Sequence, residues 1–386
     1  MIRPTGYSVY DYGQMITCEP RMSIYAEALR RAVTPGCTVI DLGAAFGVFA
    51  LLACKYGAGH VVAIEPDPSI ELLMPMAQAN GFGDRITIVR DISTNYTPET
   101  RADVIVSDCR GSMSLYQHHI NTLADARARL LAPGGKLLPM RDTLNIALSV
   151  WPASHRGSTR PWLHNKFGLD LSAGHPFAAN VEMKAYLKPR HLRSEPQVLA
   201  VIDYHSITEP NIDVPVELVA TQDGPVHGLL VWFDAEIAEG LGYSNAPGQP
   251  ELVYGQMFLS LSGSPRLAAG ERIAARVRAT LVDNEYIWTW DWRIVDAAGQ
   301  ARGRPMRQSS FLSQLHSPKA LANVSNQHVP QCDARIILDR DCLALVGEGR
   351  TLDVIARTLQ ERHPDHLPTY KAALDHAASC LGRYSN

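Results

Sequence analysis

The stretch VIDLGAAFGVFALLACKYGAGHVVAIEPD, residues 39–67, limits the fold of this chain more than any other feature. It reads as a β-branched strand, a turn holding Gly43 and Gly47, an apolar helix, and a second strand that ends in Glu65. Asp41, just ahead of the turn, can accept hydrogen bonds near a bound ligand, and the two glycines let that ligand approach the backbone without meeting a Cβ. Glu65 follows Gly43 by 22 residues, at the carboxyl end of its strand, where a carboxylate can take both hydroxyls of a ribose. A nucleoside is therefore implied. A dinucleotide requires G-x-G-x-x-G around its pyrophosphate, whereas this turn runs Gly43-Ala44-Ala45-Phe46-Gly47 with the acid before the first glycine.

The same rhythm continues to about Pro139, with strands expected at 38–42, 60–66, 86–91, 102–108 and 136–140 and helices around 48–56, 69–80 and 115–131. APGG at 132–135 reads as the stop of the last helix. Such alternation belongs to an open, mostly parallel α/β sheet whose strand ends line one crevice. Asp91, closing the third strand, is then expected to accept from the exocyclic amine of an adenine, with Ser93 and Thr94 as near alternatives.

From Arg141 to about Ser310 the texture changes to strand after strand punctuated by Gly and Pro, an all-β half. Its YIWTWDW run (286–292) alternates large side chains as a buried strand does. Residues 152–196, rich in Pro, His and Arg, read as an excursion from that core. Beyond Ser317 the sequence suggests a β-hairpin over ARIILDRDCLALVGEGR and amphipathic helices near 351–363 and 369–384, a small winged-helix-like α+β appendix. The expected domains are 1–140, 141–316 and 317–386.

Composition narrows the function. With 386 residues, 46% of them hydrophobic, the chain can bury two or three cores. A formal net charge of -3 supplies no global field for nucleic acid or anionic membrane, so neither partner is expected. The N-terminal MIRPTGYSVYDYG has no apolar signal core, and charges or glycines interrupt every apolar run before spanning length. Seven scattered cysteines without zinc-like spacing point to a reducing compartment, the cytoplasm, and to no structural metal.

From Tyr7 to about Val295 the chain resembles the protein arginine methyltransferases, in element order and in local strings. These strings are the DLG turn, GAGHVVAIEP, VSDCRGSMSLYQHHINTLADARARLLAPGGKLLP, WLHNKFGLDL and VHGLLVWFDAEI. The resemblance implies a Rossmann-like domain that binds S-adenosyl-L-methionine, then a β-barrel domain with a dimerisation arm at 152–196, and a homodimer. It also implies that Arg21, in EPRMSIYAEAL, meets the cofactor's methionine carboxylate, and that Tyr7, Tyr10 and Tyr12 match an aromatic lid. The appendix is faintly similar to small winged-helix domains that bind leader peptides, a pattern any capped amphipathic helix also satisfies.

The departures from the family concern the acceptor. Two glutamates nine residues apart, which grip a guanidinium in the family, are matched here by Asp108 and Gln117, with Gly111 and Tyr116 keeping the loop's shape. The Thr-His-Trp segment bordering that pocket is matched by Leu252-Val253-Tyr254, followed by a matching Gln256. Burying a guanidinium beside a sulfonium demands strong negative charge, and one aspartate supplies less. Two readings follow: an acceptor less cationic than arginine (imidazole, amide, hydroxyl or amine), or weak arginine binding helped by the surrounding peptide. Asp108 and Gln117 are the candidate catalytic pair, with Asp108 as base or polarising carboxylate. His118 and His119 read as a solvent-facing pair at a helix start. The methyl acceptor is expected on a protein or peptide, with a small metabolite as the alternative. A protein that binds the cofactor without catalysis is the third class.

Overall fold

A computed structural model describes residues 7–315, 317–323, 325–329 and 335–384. Cys332 and the first six residues of the N-terminal string lie outside them. Met1–Leu315 forms one compact unit and His316–Asn386 a second.

The first unit opens with helices α1 (Val9–Thr17) and α2 (Glu19–Ala32). Ser8 caps α1, its hydroxyl accepting from the Asp11 amide while the Asp11 carboxylate accepts from the Ser8 amide. In α2 the buried residues Arg21, Tyr25, Ala28, Leu29 and Ala32 recur at helical spacing and form one face. A parallel sheet follows, built from β1 (Thr38–Leu42), β2 (His60–Ile64), β3 (Ile86–Val89), β4 (Ala102–Ser107) and β5 (Leu131–Leu138). Its order is β3-β2-β1-β4-β5, so the chain leaves from the centre in both directions and opens a crevice beyond the carboxyl ends of β1 and β4. The connecting helices include α3 (Val48–Lys55), α4 (Leu73–Ala79) and α5 (His119–Arg129). The last of these ends before APGG, and those residues lie within β5 instead of stopping the helix. Leu130 closes α5 by a backbone bond to Ala126, which leaves the glycines free to bend the strand.

The β-rich half forms two antiparallel sheets. One holds β6 (Arg141–Ser149), β7 (Glu182–Ala185), β8 (Gln197–Asp203), β11 (Gly228–Ala238), β12 (Leu241–Ser244) and β13 (Gln256–Ser260). The other holds β9 (Ile212–Val219), β15 (Arg272–Val282), β16 (Glu285–Val295) and β17 (Ala301–Ser309), with a two-stranded ribbon of β10 (Gly224–Pro225) and β14 (Arg266–Leu267) beside them. On β16, Tyr286, Trp288, Trp290 and Trp292 all point inward and are buried, as their alternation requires. The excursion at 152–196 begins as short helical turns but returns to the sheet: β7 pairs with β13, and Leu187 is buried in the core. It is therefore only in part an excursion.

In the second unit the expected hairpin is a helix, Arg335–Gly347, joined by helices Leu352–Arg362 and Tyr370–Tyr384. Leu338, Cys342 and Leu345 are buried at spacings of four and three, the stripe of a helix, while Ile336 and Ile337 are exposed. Glu348 and Gly349, which resemble a hairpin turn, instead end the helix, Gly349 in the left-handed region with φ 70° and its amide bonded to Val346. Among the described residues this unit contains no strand, so the expected hairpin is replaced there by helix.

Candidate active site

The turn after β1 is held by backbone geometry. The amides of Gly43 and Ala44 both donate to the Ile64 carbonyl, and Gly43 and Gly47 take φ of 72° and 86°. A Cβ at Gly43 would collide with Cys109 Sγ, and one at Gly47 with Leu73, so these glycines make room for neighbouring protein side chains and not only for a ligand. Asp41 is buried at the end of β1, its Oδ2 accepting from the Ala50 amide at 2.8 Å while Oδ1 has no partner. Burial, then the neighbouring Glu65, pushes its carboxyl up to about 7. Glu65 Oε2 accepts from the Ala45 amide at 3.0 Å and Oε1 from the Asp67 amide at 2.9 Å. These bonds fix the carboxylate at the strand end, and burial raises its pKa against their opposing effect. Tyr12 closes over this turn, its ring 5.1 Å from that of Phe46. Tyr7 and Tyr10 stay largely exposed. Asp91 is exposed at the end of β3, and its Oδ1 accepts from the Ile92 amide and from Asn95 Nδ2.

The loop after β4 differs in kind. Asp108 is buried, and its Oδ2 accepts from Arg21 Nε at 2.5 Å and from the Tyr254 hydroxyl at 2.5 Å. Its Oδ1 lies 3.5 Å from Arg110 Nε. Arg110, fully enclosed, also stands 3.4 Å from Asp142 Oδ1 on β6, donates to the Tyr243 hydroxyl at 3.0 Å, and lies over the rings of Phe233 and Tyr243. Asp142 in turn accepts from the Ser114 and Tyr204 hydroxyls, and Tyr204 meets His119 Nε2 at 3.0 Å. Burial pushes the Asp108 carboxyl up, but Arg21, Arg110 and the Tyr254 hydroxyl outweigh it and hold the group below the usual carboxylate range. For Asp142 burial prevails over Arg110 and the pKa rises.

This geometry bears on three expectations. Asp108, held ionised by two guanidiniums, is not poised as a base. Gln117 makes no hydrogen bond to it; it is exposed, in the left-handed region with φ 43°. His119 is buried and its pKa falls to about 3 through burial and then Arg110, whereas His118 is exposed. His119 falls on the same face of α5 as Ile120, Leu123 and Ala126, which carries it inward. Gly111 keeps its place against Tyr116, whose ring a Cβ there would strike. Gln256 is structural: its Oε1 accepts from the Leu187 amide and its Nε2 donates to the Asn245 carbonyl. Arg110 is the member that sequence reasoning missed, while Tyr254, expected only as part of a pocket-bordering segment, donates its hydroxyl to Asp108.

Comparisons with known proteins bear on the fold and the family likeness. The family described as Ribosomal protein L11 methyltransferase (PrmA) matches residues 21–138. Protein arginine N-methyltransferase 1 of Oryza sativa subsp. indica is 25% identical over 248 residues, 63% of this chain and 64% of that protein, so the match spans less than two thirds of that relative's length. The Arginine N(omega)-methyltransferase of Streptomyces achromogenes subsp. streptozoticus is 29% identical over 271 residues, 68% of this chain and 74% of its own. Among solved structures, the Trypanosoma brucei PRMT1 enzyme-prozyme heterotetrameric complex with AdoHcy superposes with a TM-score of 0.70 at 21% identity, covering 78% of this chain and 97% of that one. Arabidopsis thaliana Protein Arginine Methyltransferase 10 superposes with a TM-score of 0.69 at 18% identity, covering 78% and 98%. With its switch-point sheet, its acid-ended second strand and an antiparallel half behind them, the chain is similar in sequence to protein arginine methyltransferases and shares their fold.

Proposed function

We propose that this protein is an S-adenosylmethionine-dependent methyltransferase that acts on a nitrogen or other nucleophile less cationic than arginine, carried by a protein or peptide. The observation that carries the acceptor reading is the pairing of Asp108 with Arg21 and Arg110. Its negative charge is already matched inside the fold, so a guanidinium entering here finds no open carboxylate to offset its desolvation.

The residues present fit the cofactor. Asp41 has an unpartnered buried oxygen, and Glu65 is pinned by two amides with lone pairs to spare for ribose hydroxyls. Arg21, held through Nε, is the cation for the methionine carboxylate; Gly43 and Gly47 shape the turn, and Asp91 stands at the adenine end. Bound S-adenosylmethionine supplies a methyl group on a sulfonium, an electrophile for which positioning provides much of the rate. Arg21, Asp108 and Tyr254 form the rigid floor of the acceptor side, and Gln117 at its rim offers an amide that both donates and accepts. A neutral acceptor enters such a floor without needing a counter-charge.

Homodimerisation through 152–196 accords with the exposed Trp162, Phe167 and Leu169 on that segment, and light scattering on the intact chain tests it. The six described cysteines are free, which suits a reducing cytoplasm, and no helix among the described residues is long and apolar enough to cross a membrane.

The test is to incubate the purified chain with methyl-labelled S-adenosylmethionine and fractionated lysate, separating small molecules from protein. Label should enter protein or peptide and not Arg/Gly-rich peptides. Efficient methylation of arginine would overturn the acceptor reading. Label confined to small molecules would assign the enzyme to metabolite chemistry, and binding without transfer in any fraction would make it a cofactor-binding protein.

A further inference from the structure

We propose that the cavity between the 155–175 segment and the start of β11 binds the dianion of a phosphate group. The cavity, about 320 Å³, lies within the first unit and includes none of the residues assigned to cofactor or acceptor. Among its lining are His155, Arg160, His175, His227, Ser264 and Arg266, and no aspartate or glutamate lines it.

The inner wall is a built pair of imidazoles. His155 and His227 stack with ring centroids 4.5 Å apart and planes 16° from parallel. His227, 8% exposed, accepts from the Trp151 amide through Nδ1 at 3.0 Å, so its ring proton resides on Nε2, a donor left for a ligand. His155 Nδ1 meets the Ser264 hydroxyl at 2.9 Å and the Thr159 hydroxyl at 3.1 Å. His155 also starts a π-helical turn, His155–Thr159, a backbone form frequent at functional sites. Burial lowers both rings, with His155 next for His227, which is held to about 4, and Arg160 next for His155, which lies below its usual value. An anion bound in the cavity beside them opposes that lowering.

The outer wall supplies fixed charge. Several arginines of the β-rich half are matched by carboxylates, Arg276 with Asp213, Arg278 with Asp291 and Arg302 with Glu271. Neither Arg160 nor Arg266 has a carboxylate partner among the described residues. Two unmatched guanidiniums equal the charge of a phosphate dianion. Donors arriving from the helical turns, from β11 and from the β14 loop suit a tetrahedral group better than a planar carboxylate.

Titration calorimetry of the full chain with inorganic phosphate tests this, with acetate as the planar comparison. Saturable one-site binding is expected. Arg160→Ala and Arg266→Ala, both at exposed positions, should each weaken it about tenfold, as loss of a charge-assisted hydrogen bond implies. Lys55→Ala on α3 should leave it unchanged. Nuclear magnetic resonance should show the ring signals of His155 and His227 moving with the titration. No saturable binding, undiminished affinity in both arginine variants, an equal loss in Lys55→Ala, or acetate binding as tightly as phosphate would each overturn the assignment.

Discussion

The two sides of the crevice beyond the parallel sheet follow opposite electrostatic plans. On the side proposed for the cofactor, Asp41 and Glu65 are met by backbone amides, and burial raises the pKa of both. On the acceptor side, each buried carboxylate faces a guanidinium: Asp108 has Arg21 and Arg110, and Asp142 has Arg110. Carboxylates without a cation keep capacity for a ligand's donors and positive charge, whereas paired ones have spent it. One strand order thus yields a receptive half and a closed half.

The strongest way to break this comparison is Asp108→Asn. If the pairing is as tight as its distances indicate, buried Arg21 loses its counter-charge and Arg110 keeps only Asp142, and urea denaturation should show a loss of about 3 kcal/mol or more. Adding Arg21→Met to Asp108→Asn should recover part of it, because the orphaned charge is then removed; a coupling of about 1 kcal/mol or more between the two sites is expected. Strictly additive effects would mean the pair is solvated and the closed half is open.

On the receptive half, Glu65→Ala sharpens the contrast. Removing the carboxylate takes away charge-assisted acceptors for the ribose, and calorimetry with S-adenosylhomocysteine should show weakening of about 1.5 to 3 kcal/mol. The same substitution should cost little stability, because its oxygens bond only two local amides. Unchanged affinity would remove Glu65 from the cofactor site.

How much of this was legible follows from sequence distance. The β1 turn, Glu65 and the tryptophans of β16 are local patterns, each set by a strand, a turn or an alternation within a few residues. The closed half is assembled from residues far apart: Arg21 and Tyr254 are separated by 233 positions, Asp108 and Tyr254 by 146. Arg110, in a loop with glycine and serine, reads as a surface cation until Asp142 and Tyr243 enclose it. The region 335–347 misled for a different reason, since three adjacent apolar residues, Ile336, Ile337 and Leu338, satisfy strand and helix alike and only packing separates the two.

The smallest effect concerns His119, which reports whether the closed half is dry. Its folded pKa of about 3 lies below the ordinary 6.5 because burial, and then Arg110, oppose a charge there. Below pH 6.5 the unfolded chain takes up a proton that the folded chain refuses, so this contribution to stability is complete above 6.5 and is lost as the pH falls toward about 3. One such proton gives a slope of at most about 1.4 kcal/mol per pH unit. His119→Gln keeps an amide for the Tyr204 hydroxyl but removes the titration. Denaturation curves collected from neutral pH downward should therefore converge, the variant losing less stability than the native chain. Curves that stay parallel would place water, and not a sealed ion-pair cluster, around His119, and with it reopen the acceptor side to a cationic substrate.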